Sequence, residues 1–453
     1  NGDNVAGIGR TITDTTAKLS VAGGKLRFSG GVTWADPGLV SARGWARVAG
    51  LTLEFEVKPT LATTYLALGL CDGVRGSGAD PRLEPHGFEF RGGDSAGQLS
   101  IDRAIASTLS VPFVYSTASL WCRIVVLATG ALHYVSTDDR LTWLILWYDA
   151  AVTTSPLYPF IESYDAALTA DVCRLYRGPV PTPRINASAG AVTPTLGADL
   201  IVNGAFAADT DWAKGAGWTI AAGVATATLA SSDLSQTVAP LTAQAWYQLD
   251  YTIAVYTVGT ITPKFGTAAG VGRTSAATFT ETKRANGTAF AFTAAAATAD
   301  LDNVVVKAIT LSSLLSGGGD PGIRYGLFGF DVTAAAGYQA GGMCCLDSAS
   351  TPLWYLHAYV DRSTGLGVLL KVENGTTTEL ISAAITYSAA AILRVCVVPG
   401  SSGLSNARVA LYYNGTQVGT TQTVDLSASY GTLVRAFDTS GAATVQVRVY
   451  GGM

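Results

Sequence analysis

Short runs of alternating apolar and polar side chains recur along the whole chain and constrain its fold more than any other feature. The run Leu51–Val57 alternates strictly and ends at Lys58-Pro59. A period of two places successive side chains on opposite faces of a β-strand, whereas a helix needs a period of about 3.6. Helical periodicity is nearly absent, so the sequence predicts an all-β fold class.

Asn-Gly pairs at the ends of such runs predict hairpins. Asn414-Gly415 separates Ala407–Tyr413 from Thr416–Thr421, and Asn374-Gly375 follows Leu369–Glu373. Both residue types tolerate positive φ, which makes Asn-Gly between two strand-like runs the strongest short-range hairpin signal. The sheets are therefore expected to be antiparallel.

Two low-complexity stretches divide the chain into domains. A single hydrophobic core stops growing at roughly 250–300 residues, so the 453 residues indicate several domains. Residues 179–195 form a Pro-rich stretch that should be a semi-extended linker, and 311–321 form a Gly/Ser linker. Three predicted sandwich domains remain, at 1–178, 196–310 and 322–453.

The two outer segments contain similar strings in the same order. The matching pairs are Tyr65–Asp72 with Tyr338–Asp347, Arg123–Val126 with Arg394–Val398, and Asp171–Gly178 with Thr444–Gly451. Chance would rarely preserve this order, so the outer segments are predicted to be related modules.

The middle segment opens with Leu200–Phe206 and closes with Asp300–Lys307. It resembles the jelly-roll carbohydrate-binding modules that are attached to polysaccharide-degrading enzymes and are common in tailed-phage virion proteins. The resemblance implies a binding or structural role. It also implies that the first and last strands of the module lie side by side, so that its two ends meet.

The outer segments resemble concanavalin-A-like (laminin-G-like) sandwiches. Val409–Gly419 is similar to that family's strand–turn–strand, in which a short hairpin carries apolar-Tyr-x-Asn-Gly. Leu132–Asp139, followed by Trp143, is similar but has an acidic turn. The predicted architecture is therefore three tandem antiparallel β-sandwiches, concanavalin-A-like at both ends and jelly-roll in the centre.

The composition excludes some classes of partner. Charged residues make up 14% of the chain, against about 25% in ordinary domains, and the net charge is −4. No Lys/Arg block is present, so we expect no nucleic-acid partner. The most apolar stretch, Leu120–Val135, carries Arg123 and His133 and reads as two strands, so we expect no membrane insertion. No signal peptide is evident after Asn1.

The spacing of the six cysteines does not indicate a zinc site. None has CxxC spacing, and the three histidines lie far apart in the sequence. Free buried thiols that act as small hydrophobic side chains are expected. A disulfide from Cys71 to Cys122 or Cys173 stays open at this point.

Calcium is the one ion for which the sequence offers candidate ligands, and no cofactor is otherwise required. The resemblance to jelly-roll modules implies a structural calcium ion near the joined first and last strands. Asn203, Asp300 and Asp302 supply hard oxygen atoms at those ends, and calcium takes six to eight of them. The alternative is that these are ordinary turn and strand-end residues.

Sugar binding would need exposed aromatic rings, because sugar rings stack their C–H faces on Trp or Tyr. The candidates are Trp143, Trp147, Tyr148, Trp212, Trp218, Trp246 and Trp354. The alternative for each is the usual place of Trp in a sandwich, which is the core between the sheets.

Catalysis has little support in the sequence. Glu54 and Glu56 share one face of a strand, as a glycosidase acid and base would. Hydrolases of this fold usually carry a longer Glu-x-Asp-x-x-Glu signature, which is absent here. We therefore expect a protein that is not an enzyme.

These observations predict a structural and adhesive surface protein, namely a phage virion fibre, spike or capsid-decoration component on the virion surface or an extracellular protein. Expected partners are other copies of itself, other virion or appendage proteins, and cell-surface polysaccharide. The alternatives are a purely structural spacer or cement protein, a polysaccharide-active enzyme, and a secreted bacterial adhesin.

Overall fold

A computed structural model of the protein confirms the all-β fold class. It describes residues 10–13, 19–22, 25–29, 38–41, 44–59, 65–72, 86–91, 98–103, 107–116, 118–128, 130–149, 156–164, 167–177, 185–189, 193–236, 238, 240–389, 391–440 and 443–450. Every strand pair among them is antiparallel, as the hairpin signals predict. In this part of the chain no helix is long and apolar enough to cross a membrane.

The first module forms two seven-stranded sheets, β1-β4-β13-β6-β7-β8-β9 and β12-β11-β10-β5-β14-β3-β2. The strands are β1 Arg10–Thr13, β2 Leu19–Ala22, β3 Lys25–Ser29, β4 Gly38–Ser41, β5 Leu51–Pro59, β6 Tyr65–Cys71, β7 His86–Arg91, β8 Gln98–Arg103, β9 Ser107–Val114, β10 Leu120–Leu127, β11 Gly130–Ser136, β12 Leu144–Asp149, β13 Tyr158–Tyr164 and β14 Ala167–Arg177. Apolar side chains of both sheets form one core, in which Phe55 meets Phe88 edge to face at 6.1 Å.

The middle module is a network of nine strands around its own core. They are β16 Leu196–Asp199, β17 Trp212–Lys214, β18 Trp218–Ala221, β19 Val224–Ala230, β20 Asp233–Gln236, β21 Trp246–Phe265, β22 Ala268–Ala269, β23 Ala277–Arg284 and β24 Phe290–Ile309. The first and last strands pair, with Leu196 opposite Ile309 and Asp199 opposite Lys307. The two ends of the module therefore meet, as the resemblance implies.

The third module is a sandwich of two six-stranded sheets. Its strands are β15 Ile185–Ala189, β25 Leu315–Gly319, β26 Gly326–Thr333, β27 Gln339–Leu346, β28 Tyr355–Asp361, β29 Leu366–Glu373, β30 Thr376–Ala384, β31 Ala391–Gly400, β32 Gly403–Tyr413, β33 Thr416–Val424, β34 Leu433–Asp438 and β35 Thr444–Tyr450. We call β15-β35-β26-β31-β32-β33 the β26 sheet and β25-β34-β27-β28-β29-β30 the β27 sheet. A single 3₁₀ turn, Leu311–Leu314, precedes β25.

Both stretches that we expected to be linkers contribute strands to this third sandwich. Within 179–195, β15 pairs with β35, and within 311–321, β25 pairs with β34. Glycine is needed at Gly318, which has φ of +83° and where a Cβ would lie 2.0 Å from the carbonyl oxygen of Val434. The Gly-rich run is therefore a bulged strand in close contact with its neighbour, and the middle module is inserted between the first two strands of the third sandwich.

Six strands of each sheet in the first module have the same order as the sheets of the third, as expected for related modules. The order β4-β13-β6-β7-β8-β9 corresponds to β25-β34-β27-β28-β29-β30, and β3-β14-β5-β10-β11-β12 corresponds to β15-β35-β26-β31-β32-β33. The repeated strings of the sequence fall on equivalent strands, namely β6 with β27, β10 with β31, and β14 with β35.

The third sandwich lies in the middle of the molecule. The first module covers the outer face of the β26 sheet, where Trp147 meets Tyr412 at 4.8 Å and Tyr148 stacks on Tyr450 at 5.7 Å. The Arg394 guanidinium lies 4.7 Å from the centre of the Trp147 ring. Burial lowers the pKa of Arg394 to about 10. The inserted module covers the outer face of the β27 sheet. Each sheet of the third sandwich therefore has the sandwich core on one face and another module on the other.

Candidate functional site

The inserted module packs on the outer face of the β27 sheet through a small apolar cluster. Trp246 and Ile309 of the inserted module are opposite each other on β21 and β24. Trp246 lies 5.0 Å from Phe437 and 6.2 Å from Tyr359, measured between ring centres. The inner face of the same sheet lines the sandwich core. Because both faces are covered, every residue of β27 and β28 is buried.

A cleft of about 290 Å³ opens beside this contact, between the inserted module and the third sandwich. Its lining residues are Gln244, Trp246, Ala268, Lys283, Arg284, Ala285, Asn286, Gln339, Tyr359, Asp361, Leu370, Thr377 and Glu379. This volume is near the lower limit of ligand pockets, which run from about 300 to 1,000 Å³. Gln244 is held at a φ of +71°, a strained conformation of the kind that is enriched at functional sites.

A buried ion pair joins the two modules within the cleft. Lys283 on β23 and Asp361 on β28 are each only 7% exposed, and Nζ lies 3.1 Å from Oδ2. Lys283 also donates to the hydroxyl oxygen of Ser363 at 2.8 Å. Burial alone would raise the pKa of Asp361, but the Lys283 charge and hydrogen bonds from Ser363 outweigh it and lower that pKa.

Arg284, next to Lys283 on β23, forms a second bridge between the modules. Its Nε donates to the carbonyl oxygen of Gln244 at 3.0 Å, and its Nη2 donates to the hydroxyl of Thr377 on β30. Burial lowers the pKa of the Arg284 guanidinium, while the charge of Glu379 acts in the opposite direction. The cleft thus holds two cationic side chains, Lys283 and Arg284, and two anionic ones, Asp361 and Glu379. Its net charge is therefore close to zero.

The aromatic candidates from the sequence do not present open ring faces. Trp143, Trp147, Tyr148, Trp212, Trp218 and Trp246 have between 1% and 7% of their surface exposed. Trp354 is half-buried, packs against the core and meets Tyr430 at 5.5 Å. These rings therefore contribute to cores and module contacts, and stacking on a sugar would require them to be uncovered. Of the seven, only Trp246 lines the cleft.

Of the three calcium candidates, Asn203 lies in the loop after β16, and Asp300 and Asp302 lie within strand β24. Asn203, at a φ of +54°, donates from Nδ2 to the carbonyl oxygens of Ala208 and Thr210. The carboxylate of Asp302 accepts from the backbone and side chain of Asn303, and Asp300 accepts from Thr226. The described residues contain no group of three or more His, Cys, Asp or Glu side chains placed to hold a metal ion.

The carboxylates considered for catalysis have different surroundings. Glu54 is 4% exposed, and its Oε1 accepts from Arg123 at 2.6 Å. The Arg123 guanidinium in turn lies 3.7 Å from the centre of the Trp143 ring. Glu54 thus belongs to a packed ion pair, whereas Glu56 is half-buried on the same strand.

Four of the cysteines are free and buried, namely Cys122, Cys344, Cys345 and Cys396. Cys71 is buried and donates from Sγ to the carbonyl oxygen of Tyr158, and Cys173 lies outside the residues whose side chains are described. Burial raises the pKa of the Cys122 and Cys396 thiols, which keeps them in the unreactive protonated form.

Sequence reasoning did not identify the charged residues of the cleft. A signal was present, because Lys283-Arg284 ends an alternating run in a chain that is only 14% charged. Asp361 gave no comparable signal. It follows an apolar strand, where an acidic residue normally marks a turn.

No protein family and no curated protein sequence matches the chain. Among solved structures, the VIP36 exoplasmic/lumenal domain in its Ca²⁺/Man3GlcNAc-bound form has 8% identity and a TM-score of 0.30, covering 38% of this chain and 86% of that one. The LG4-5 domains of the mouse laminin α1 chain have 7% identity and a TM-score of 0.23, covering 97% and 98%.

A third similar structure is an enzyme. Xylan β-1,4-xylosidase from Bacillus halodurans C-125 has 8% identity and a TM-score of 0.21, covering 98% of this chain and 99% of that one. Domains of the lectin and laminin-G type therefore occur among the similar structures, together with a glycoside hydrolase.

Proposed function

We propose that the protein is a non-enzymatic structural and adhesive surface protein, a fibre, spike or capsid-decoration component of a phage virion. The observation that carries this proposal is the third sandwich, whose two outer faces are covered by the other modules. Such packing makes a rigid block from three sandwiches, which suits a part that holds or contacts surfaces. The resemblance of the inserted module to modules of tailed-phage virion proteins supports the virion setting.

The adhesive part of the proposal concerns the cleft. Because the aromatic rings are buried, a glycan would be held mainly by hydrogen bonds from polar side chains such as those of Gln244 and Glu379, both exposed at the cleft. The balance of cationic and anionic groups favours a neutral sugar. A cleft of this size gives weak affinity, which display in many copies on a particle would raise.

A glycan array tests this assignment, with calcium supplied in the buffer. The wild-type protein should bind a neutral glycan, and Glu379→Gln should weaken the signal about tenfold by removing one charge-assisted hydrogen bond. Glu373→Gln is the matched control, because Glu373 lies on the neighbouring strand β29 outside the cleft lining. Equal loss in both variants would contradict a site in the cleft.

The second candidate is a spacer or cement protein without a ligand, and the burial of the aromatic rings favours it. Complete silence of the array with the wild-type protein would support this candidate over the adhesive one. Release of reducing sugar from a host polysaccharide, abolished by Glu54→Gln, would contradict both and indicate an enzyme. A secreted bacterial adhesin would be separated from a virion protein by the neighbouring genes.

A further inference from the structure

The ion pair between Lys283 and Asp361 has the geometry of two groups that can react with each other. The two residues belong to different modules and are separated by 78 positions in the sequence, yet Nζ lies 3.1 Å from Oδ2. Contact at this distance between fixed groups corresponds to a very high effective concentration. Burial of both side chains also excludes bulk water, which would otherwise favour the separated ions.

The other carboxylate oxygen of Asp361 sits in a set of hydrogen-bond donors. Oδ1 accepts from the backbone N–H of Ser363 at 2.8 Å, from its hydroxyl, and from the backbone N–H of Thr364 at 3.3 Å. Donors fixed around one oxygen of a carboxyl group stabilise negative charge that develops there when a nucleophile attacks the carbon. Nζ of Lys283 lies beside the other oxygen, Oδ2, and leaves these donors at Oδ1 undisturbed.

A third buried group can carry protons near this pair. Glu281 precedes Lys283 by two residues on β23, so the two side chains share one face of the strand. It is 2% exposed, and its Oε2 accepts from the backbone N–H of Val271 at 2.9 Å, whereas Oε1 has no hydrogen-bond partner in the structure. Burial raises the pKa of Glu281, and the charges of Lys283 and Asp361 both act on it.

We propose that Lys283 and Asp361 form an isopeptide bond that covalently cross-links the inserted module to the third sandwich. Glu281 first relays a proton from Nζ to Oδ2, which leaves a neutral amine and a neutral carboxyl group. Nζ then attacks Cγ of Asp361, and the negative charge of the adduct rests on Oδ1 among its donors. A second proton passes from the nitrogen through Glu281 to Oδ2, the Cγ–Oδ2 bond breaks, Oδ2 departs as water, and Glu281 returns to its starting state. The step needs no oxidant, reductant or cofactor.

Intact-mass measurement of the purified full chain under denaturing conditions tests the bond. The wild-type protein should be one water molecule lighter than the mass calculated from its sequence, and digestion should yield one branched peptide that joins Lys283 to Asp361. A wild-type mass equal to the calculated value would overturn the proposal. So would a branched peptide that joins other residues.

Two variants locate the chemistry. Lys283→Arg keeps a cation beside Asp361, but a guanidinium is too weak a nucleophile to form the amide. The mass of this variant should therefore equal its own calculated value. If this variant also lacks one water, the loss comes from another reaction, such as cyclisation of an aspartate, and the proposal fails. Glu281→Gln should leave most of the chain without the cross-link, and complete cross-linking in this variant would overturn the relay role of Glu281.

Discussion

The two outer modules share a strand order over six strands of each sheet but differ in one connection, between β3 and β4 in the first module and between β15 and β25 in the third. In the first module residues 30–37 join β3 to β4, whereas in the third module the inserted module lies between the equivalent strands β15 and β25. Insertion at this place is tolerated because the inserted module brings its own ends together through β16 and β24. Two related sandwiches can therefore play different roles, one at the edge of the molecule and one at its centre.

An equivalent arginine shows how the central position changes a module. Arg123 on β10 pairs with Glu54 inside the first module and lies on the ring of Trp143. Arg394, on the equivalent strand β31, instead lies on the rings of Trp147 and Tyr148 of the first module. The same position thus stabilises a sheet in one copy and a contact between modules in the other.

Removing the largest side chain at that contact should have the greatest effect. Trp147 is 1% exposed and contacts both Tyr412 and Arg394. Trp147→Ala should lower the free energy of unfolding by about 4–5 kcal/mol, because it opens a cavity and uncovers the Arg394 charge. Urea denaturation measures this loss. A loss below about 1 kcal/mol would show that the two modules are not tightly packed.

The opposite face of the third sandwich offers the complementary test. Trp246→Ala should lower the free energy of unfolding by about 3 kcal/mol, because neighbouring apolar side chains such as Ile309 still cover part of the β27 sheet. Hydrogen exchange should accelerate in β28 and β34. Trp218→Ala is the control, since Trp218 lies in the core of the inserted module itself. Faster exchange in β28 for both variants would contradict a local contact.

Local sequence signals predicted much of this fold. Alternating runs and Asn-Gly pairs act over a few residues, so the all-β class, the hairpins and the related outer modules could be predicted. The strands β15 and β25 could not, because they lie in Pro-rich and Gly-rich stretches and form only by pairing with distant β35 and β34. The cleft depends on Lys283 and Asp361 meeting across two modules, and no local pattern records such a contact.

The place of insertion can be tested at the strand where the chain returns to the third sandwich. Gly318→Ala should lower the free energy of unfolding by about 2–3 kcal/mol, because it adds both a strained φ and a contact with the Val434 carbonyl. Gly365→Ala is the matched control, since Gly365 has a φ of +72° but open space around it. It should cost about 1 kcal/mol. Equal costs would show that β25 is not in close contact with β34.

The smallest expected effect is on the pH dependence of stability and concerns one buried histidine from each outer module. Burial, with a smaller contribution from His86, lowers the pKa of His133 to about 3, and burial with the Arg284 charge lowers the pKa of His357 well below its usual value. In the unfolded chain both pKa values return to about 6.5. Below that pH the unfolded state binds protons that the folded state does not, so stability falls as the pH drops.

Each histidine should cost about 1.4 kcal/mol of unfolding free energy between pH 7.5 and pH 5.5. Urea denaturation across this pH range measures how steeply the free energy of unfolding changes with pH. His133→Asn and His357→Asn should each reduce the change between pH 7.5 and pH 5.5 by about 1.4 kcal/mol. Glu281 and Asp331, whose pKa values burial raises, act in the opposite direction but are common to all variants. The difference between slopes therefore isolates the histidines. An unchanged slope in His357→Asn alone would mean that the inserted module leaves the outer face of the β27 sheet open to water.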